Sequence, residues 1–202
     1  MRILAIGDVV GNIGCRFLRQ RLPALKKLKG VDLVIANGEN SADGNGVTPI
    51  SADFLFSSGV DVITTGNHSF RRREIYPYYD DAPYILRPAN FPEKTTPGNG
   101  TLIYDMGRVQ VCVINLMGCV FLENLKDPYE TIDEILKKNT AKITILDFHA
   151  EATAEKLAMG YYLDGRISAM FGTHTHVQTA DECIFENGMG LSLIHISEPT
   201  RP

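Results

Sequence analysis

Cysteine is scarce in this sequence, and none of it is paired at short range. Cys15, Cys112, Cys119 and Cys183 show no C-x-x-C spacing. That spacing is what a structural zinc or thiol-redox site needs, so neither chemistry is indicated. The expectation is four free thiols, mostly buried, in a cytoplasmic protein. Basic charge is also short. Lys and Arg number 20 against 24 Asp and Glu, a formal net charge of -4, so no stable binding to a nucleic-acid backbone is expected. No apolar run approaches the ~20 residues of a membrane span. The apolar stretch at residues 3–6 meets Asp8 too soon to read as a signal peptide. Neither G-x-G-x-x-G nor G-x-x-x-x-G-K occurs, so a dinucleotide fold and a nucleotide triphosphatase are both unsupported. Internal repeats and low-complexity tracts are missing as well.

What is present is 202 residues with 44% hydrophobic and 22% charged side chains, the balance of one globular domain. Short apolar runs at residues 3–7, 32–36 and 61–65 alternate with helical spacing at 15–28 and 51–58. Pro23 is placed to kink the first of these helices. Strand–helix–strand–helix–strand is the pattern of an α/β layer with parallel strands. Residues 87–100, rich in Pro and Gly, read as loop, and residues 102–105 and 109–115 flank Met106-Gly107-Arg108 as a hairpin. A helix is expected at 128–138, with acids early and Lys137-Lys138 late. A strand at 143–148, a helix at 152–160 stopped by Gly160, and a strand at 167–171 complete the reading.

The chemistry lies at the ends of the apolar runs. Asp8, Glu39, Asn67, His149 and His174 each follow a strand directly or within a few residues, and ligands of open α/β sheets bind beyond the carboxyl ends of strands. Taken singly, Asp8 or Asn67 is an ordinary turn residue, and a lone histidine is an ordinary structural one. Together the five place potential metal ligands on one rim. His174 and His176 are one residue apart, a spacing that on an extended segment sends both rings to the same side. Histidine with carboxylate suits Fe, Mn or Zn rather than Ca or Mg. Asp147 and Glu151 flank His149 and are candidates to orient it. Gly44-Asn45-Gly46 reads as a plain turn, and Arg71-Arg72-Arg73 as a solvated helix start.

These blocks resemble a known family. Asp8, Gly38-Glu39-Asn40, Gly66-Asn67-His68, His149 and Gly172-Thr173-His174-Thr175-His176 are similar to the five motifs of the metallophosphoesterases, also called calcineurin-like phosphoesterases. The YmdB-like subfamily is closer still, through residues 6–11, Arg87-Pro88-Ala89-Asn90-Phe91-Pro92, residues 147–153 and residues 172–181. Two departures from the broad superfamily, Val10 for the usual histidine and Glu39 for the usual aspartate, are normal in that subfamily.

The resemblance implies an α/β metallophosphoesterase-type four-layer sandwich, two packed mixed sheets flanked by helices. It implies two metal ions, Fe or Mn, with Glu39 bridging. Asp8, Asn40 and His176 complete one metal; Asn67, His149 and His174 complete the other. Asn40 stands in for the missing first-motif histidine. His68, not itself a ligand, is the candidate acid for the leaving alkoxide, or else a partner that orients a ligand. The implied reaction is hydrolysis of a small phosphodiester, a 2',3'-cyclic nucleotide, to a 3'-phosphate by metal-bound hydroxide. Homo-oligomerisation is allowed by the sequence. A phosphomonoesterase or protein phosphatase with the same centre, and a non-catalytic metal-dependent regulatory protein, are the alternatives.

The resemblance stops near Asn187, where family members continue with further strands. Residues 191–202, ending Ser197-Glu198-Pro199-Thr200-Arg201-Pro202, look like translated sequencing-adapter read-through. The expected division is therefore residues 1–190 as a metallophosphoesterase domain lacking its last strands, and 191–202 as a non-native, poorly packed tail that gives His195 no functional weight.

Overall fold

The computed structural model describes residues 1–177 and 179–193. Chain order is β1 (Ile3–Ile6), α1 (Gly11–Lys29), β2 (Leu33–Asn37), α2 (Pro49–Ser57), β3 (Val62–Thr64), α3 (Ile75–Asp81), β4 (Ile85–Leu86), β5 (Thr101–Asp105) and β6 (Gln110–Met117). It continues with α4 (Pro128–Lys138), β7 (Ile143–His149), α5 (Thr153–Leu163), β8 (Ala169–Thr173), β9 (Cys183–Ile184) and β10 (Gly190–Ser192).

Two sheets form. One runs β1-β2-β3-β4 and the other β5-β6-β7-β8-β10-β9. The four-stranded sheet is wholly parallel among the described residues, which corrects the expectation of two mixed sheets. Each of its first three strands is followed by a helical crossover, and a crossover returns the next strand parallel. Only the six-stranded sheet is mixed. β5–β6 and β10–β9 pair antiparallel, and the rest pair parallel.

Period-two patterning builds the layers. Val34, Ala36 and Ile63 point outward to Leu18, Leu22 and Leu55 of α1 and α2. Leu33, Ile35 and Val62 point inward to Val111, Val113, Ile145 and Phe171 of the other sheet. The far face of that sheet carries Cys112, Ile114, Leu146 and Phe148 against Ile132 of α4 and Met159 and Leu163 of α5. The result is helix, sheet, sheet, helix.

Helix ends follow local chemistry. Asp127 caps α4 by accepting from the Tyr129 and Glu130 amides at 2.8 and 2.9 Å. Thr48 and Ser51 form a capping box at α2. α1 continues unbroken through Pro23 and stops at Gly30, whose φ of 61° closes the last turn. Gly160 does not stop α5, which runs on to Leu163. A side chain there would meet Phe185 and Leu191 at 3.2–3.3 Å, so the small residue serves packing rather than termination.

Three residues of the expected tail are packed. β10 pairs with β8 through Leu191↔Met170 and Ser192↔Phe171. Leu191 and Leu193 are buried in the α5-side core, each contributing roughly 1.5–3 kcal/mol of apolar burial. The expectation of poor packing from residue 191 onward is corrected over 191–193. The rest of that segment, 194–202 with His195, lies outside the described residues.

Candidate metal centre

The inward faces of both sheets change character at the carboxyl ends of their strands. Where the apolar alternation would continue, Asn37 follows Leu33 and Ile35, Thr64 follows Val62, Asn115 follows Val111 and Val113, Asp147 follows Ile145, and Thr173 follows Phe171. All five are buried, and they hydrogen-bond across the sheet interface. Asp147 accepts from the Asn37 amide at 3.1 Å, from the Thr173 hydroxyl at 2.8 Å and from the Thr64 hydroxyl. Asn115 Oδ1 accepts from the Thr65 amide at 3.0 Å. Burial pushes Asp147 up to about 7, against three hydrogen bonds that favour its ionised form.

On this floor stand the residues expected at the strand ends. Asp8 lies two residues beyond β1, Glu39 two beyond β2 and Asn67 three beyond β3. His149 ends β7 and His174 directly follows β8. The donors thus come from two sheets that face one another, and the single rim of the sequence reading is a seam between them. Asp8, Glu39 and His149 are almost fully buried. His68, His174 and His176 are about a fifth to a quarter exposed, at 27%, 19% and 26%, and so form the open side.

Two groups of contacts are drawn together around Glu39. In one, His176 Nε2 lies 3.3 Å from Asp8 Oδ1 and 3.3 Å from the Asn40 amide nitrogen. In the other, His149 Nε2 lies 2.9 Å from Asn67 Oδ1 and 3.1 Å from His174 Nδ1. Glu39 Oε1 is 3.4 Å from His149 Nε2 and 3.1 Å from the Asn40 amide nitrogen. Ligand atoms of Glu39, His149 and His174 all lie within 4.8 Å of one another.

The hydrogen bonding around the histidines decides which ring nitrogens face the centre. His149 Nδ1 donates to Thr173 Oγ1 at 2.8 Å, and Thr173 in turn donates to Asp147. His174 Nε2 is 2.7 Å from Glu151 Oε2. Each ring therefore keeps its proton on the outer nitrogen. The lone pairs of His149 Nε2 and His174 Nδ1 face each other at 3.1 Å, an arrangement that a cation resolves. Burial drives His149 down to about 3, and burial lowers His174 as well, so both imidazoles are neutral donors. Asp8 Oδ1 is buried and makes no geometrically sound hydrogen bond among the described residues, although His176 Nε2 is near. Burial pushes Asp8 up, but His176, His149 and the His174 amide outweigh it and hold the carboxyl at about 2. Burial and the charge of Asp8 raise Glu39 well above the usual carboxylate range. Two carboxylates sharing a buried floor with neutral imidazoles fit bound cations.

His68 does not stand apart from these groups. Its Nδ1 is 2.7 Å from Asn40 Oδ1, and its backbone amide donates to Glu39 Oε2 at 3.0 Å. Burial and the nearby Arg71 charge lower its pKa. Gly66, two residues earlier, lies under the His149 ring, and a Cβ there would sit 2.2 Å from His149 Nε2.

Several expectations change. The His174–His176 segment is not extended; φ is 97° at His174 and 49° at His176. The rings reach different groups through a left-handed turn, so the same-side argument from strand geometry does not apply. Arg72 is not simply solvated; it donates to the Asn45 and Ala42 carbonyls at 2.9 and 3.4 Å and pins the 42–46 turn. The thiols are less buried than expected, with Cys15 and Cys112 buried, Cys119 intermediate and Cys183 exposed. The sequence reading missed Asn37, Thr64, Asn115, Thr173 and Lys156. The first four carried a signal, a polar residue at the next inward-facing position of an apolar strand.

The chain is similar to proteins already known. The family described as YmdB-like protein matches residues 4–192. A 2',3'-cyclic-nucleotide 2'-phosphodiesterase of Bacillus subtilis is 49% identical over 191 residues, covering 93% of this chain and 72% of the relative. The crystal structure of a hypothetical protein from Thermus thermophilus superposes with a TM-score of 0.90 at 39% identity, covering 95% of this chain and 74% of that one. The structure of a novel phosphatase from Mycoplasma pneumoniae gives 0.88 at 31% identity, covering 94% and 69%. The architecture is accordingly of the metallophosphoesterase type.

Proposed function

This chain belongs to the YmdB-like family, and from that membership and the geometry of its centre we propose that it is a dinuclear-metal phosphodiesterase. Its substrates in this reading are 2',3'-cyclic nucleotides, opened at the 2' bond to leave a 3'-phosphate. The observation that carries the chemistry is the grouping of donors on either side of Glu39. Asp8, Asn40 and His176 would hold one metal, Asn67, His149 and His174 the other, with Glu39 shared; Asn40 would ligate through Oδ1 and so must turn its amide, whose nitrogen here faces Glu39 and His176. Fe or Mn is expected. The cyclic substrate is supported by the Bacillus subtilis relative. No helix among the described residues is long and apolar enough to cross a membrane.

Bound metals would supply Lewis-acid stabilisation of phosphoryl oxygens and lower the pKa of a water toward ~7. The chain's own residues do the rest. Thr173 and Glu151 fix which nitrogen of His149 and His174 faces the centre. Asp8 and Glu39 lie buried on the floor, out of contact with bulk water. His68 Nδ1 donates to Asn40 Oδ1, so Nε2 can hand a proton to the leaving 2' oxygen only from the imidazolium form, which burial and Arg71 make less populated.

The test is product analysis with 2',3'-cyclic AMP and, in parallel, 3'-AMP as substrates for the metal-loaded protein. Release of 3'-AMP alone from the cyclic diester supports the reading. Release of inorganic phosphate from 3'-AMP with no action on the diester would replace it with a phosphomonoesterase. The Mycoplasma pneumoniae relative's description as a phosphatase makes that comparison necessary.

A further inference from the structure

Lys156 is one of the largest fully buried side chains in the protein, with 1% exposure. It sits on α5 beside Met159 and Leu163, on the helix face packed against the six-stranded sheet. A lysine is seldom buried there without a task, because its ammonium loses solvation. Its course is unusual. The stem passes over Gly172, where a Cβ would meet Lys156 Cδ at 2.9 Å and the Leu193 carbonyl oxygen at 2.3 Å. The glycine that opens the Gly-Thr-His-Thr-His motif is thus the gap through which the stem runs. Beyond it, Lys156 Nζ donates to Thr175 Oγ1 at 3.3 Å.

Thr175 is the residue between the two histidines of that motif. Both neighbours hold positive φ, 97° at His174 and 49° at His176. Such backbone costs about 1–3 kcal/mol per residue and persists only where its surroundings hold it. The turn does necessary work for the centre. It sends His174 toward His149 and Glu151, and His176 toward Asp8 and Asn40. The charges of Asp8, Asp147, Glu151 and Asp181 offset the cost of burying the ammonium.

We propose that Lys156 is a positioning residue which, by holding Thr175 from behind the sheet, fixes the left-handed turn that aims His174 and His176 at the two metal positions. The inference rests on the reading of those histidines as ligands and goes beyond it by assigning the tether that makes both reach. Lys156 touches neither metal nor substrate in this account, so its signature is metal affinity rather than chemistry.

The experiment is Mn²⁺ titration by calorimetry of metal-stripped wild type, Lys156→Met, Thr175→Val and the double variant, with folding followed by circular dichroism and thermal melts. Each single variant should keep its fold and lose roughly 10–100-fold in Mn²⁺ affinity, the range for groups that orient ligands. The double variant should be little worse than either single one, because one tether is cut twice. Thr175→Ser, which keeps the hydroxyl, should restore affinity. A folded Lys156→Met that binds Mn²⁺ like wild type would overturn the inference, even with a lowered melting temperature, since that is the mark of packing alone. Where Lys156→Met does not fold, Thr175→Val decides alone, and wild-type affinity there overturns it equally. Wild-type protein that binds no Mn²⁺ would overturn the metal reading, and this inference with it.

Discussion

Replacing Gly66 with alanine adds one methyl group at the most crowded point of the centre. The new Cβ would start 2.2 Å from His149 Nε2 and 2.3–2.4 Å from the ring carbons, against an ordinary contact of at least 3.4 Å. The imidazole must therefore move by about 1.2 Å. It is fully buried and held at Nδ1 by Thr173 at 2.8 Å, so it cannot move without stretching that bond and leaving Asn67, now 2.9 Å away. Overpacking of this kind costs about 1–3 kcal/mol, a fall in melting temperature of roughly 2–12 °C for a domain of this size. The larger effect is on function. A misplacement of about 1 Å is worth on the order of 10²-fold in rate, and displacing the proposed ligand His149 should weaken metal binding by a comparable factor. Metal content by plasma mass spectrometry, melting curves of the metal-free protein and steady-state kinetics read the three quantities separately. A folded Gly66→Ala protein with full metal content and wild-type turnover would refute the close-packing argument.

Other substitutions probe different parts of the account. Glu39→Gln removes the charge shared by both groups of donors and should abolish most metal binding or turnover while the fold survives; dialysis followed by metal analysis checks it. His68→Ala should lower the rate about 10²–10⁴-fold, with a smaller loss for nitrophenyl esters, whose leaving group needs no proton; equal losses on both substrate types would count against the acid role. If that variant instead loses metal, the contact with Asn40 Oδ1 at 2.7 Å is its main contribution. Thiol labelling at pH 8 should modify exposed Cys183 first and spare Cys15 and Cys112, because burial shields both and pushes the Cys112 thiol up to about 11. Rapid modification of four thiols in the native protein would contradict the packing of α1 and β6.

That the centre's polar residues gather was legible in the sequence because they stand at strand ends, where the fold brings side chains together. The apolar runs before Asp8, Glu39, Asn67 and His149 marked both the strands and the site. What was not legible depends on tertiary structure. Nothing local reveals that β1–β3 and β7–β8 belong to different sheets, since both sets read as the same parallel pattern. β4 has two residues and α3 has seven with Pro77 inside it, too short for a period to show. Gly160 resembled a helix stop and is instead a packing gap under β10. The His174–His176 turn could not be foreseen from spacing, because two non-glycine residues at positive φ are held by groups distant in sequence. Lys156 gave no signal at all, as a lysine on a helix is ordinarily solvated.

Anomalous X-ray diffraction from crystals of Mn²⁺-loaded protein would locate the two proposed metals. Two anomalous peaks should appear. One should lie among Asp8, Asn40 and His176, the other among Asn67, His149 and His174, with Glu39 between them. A single peak, or a peak away from Glu39, would contradict the account.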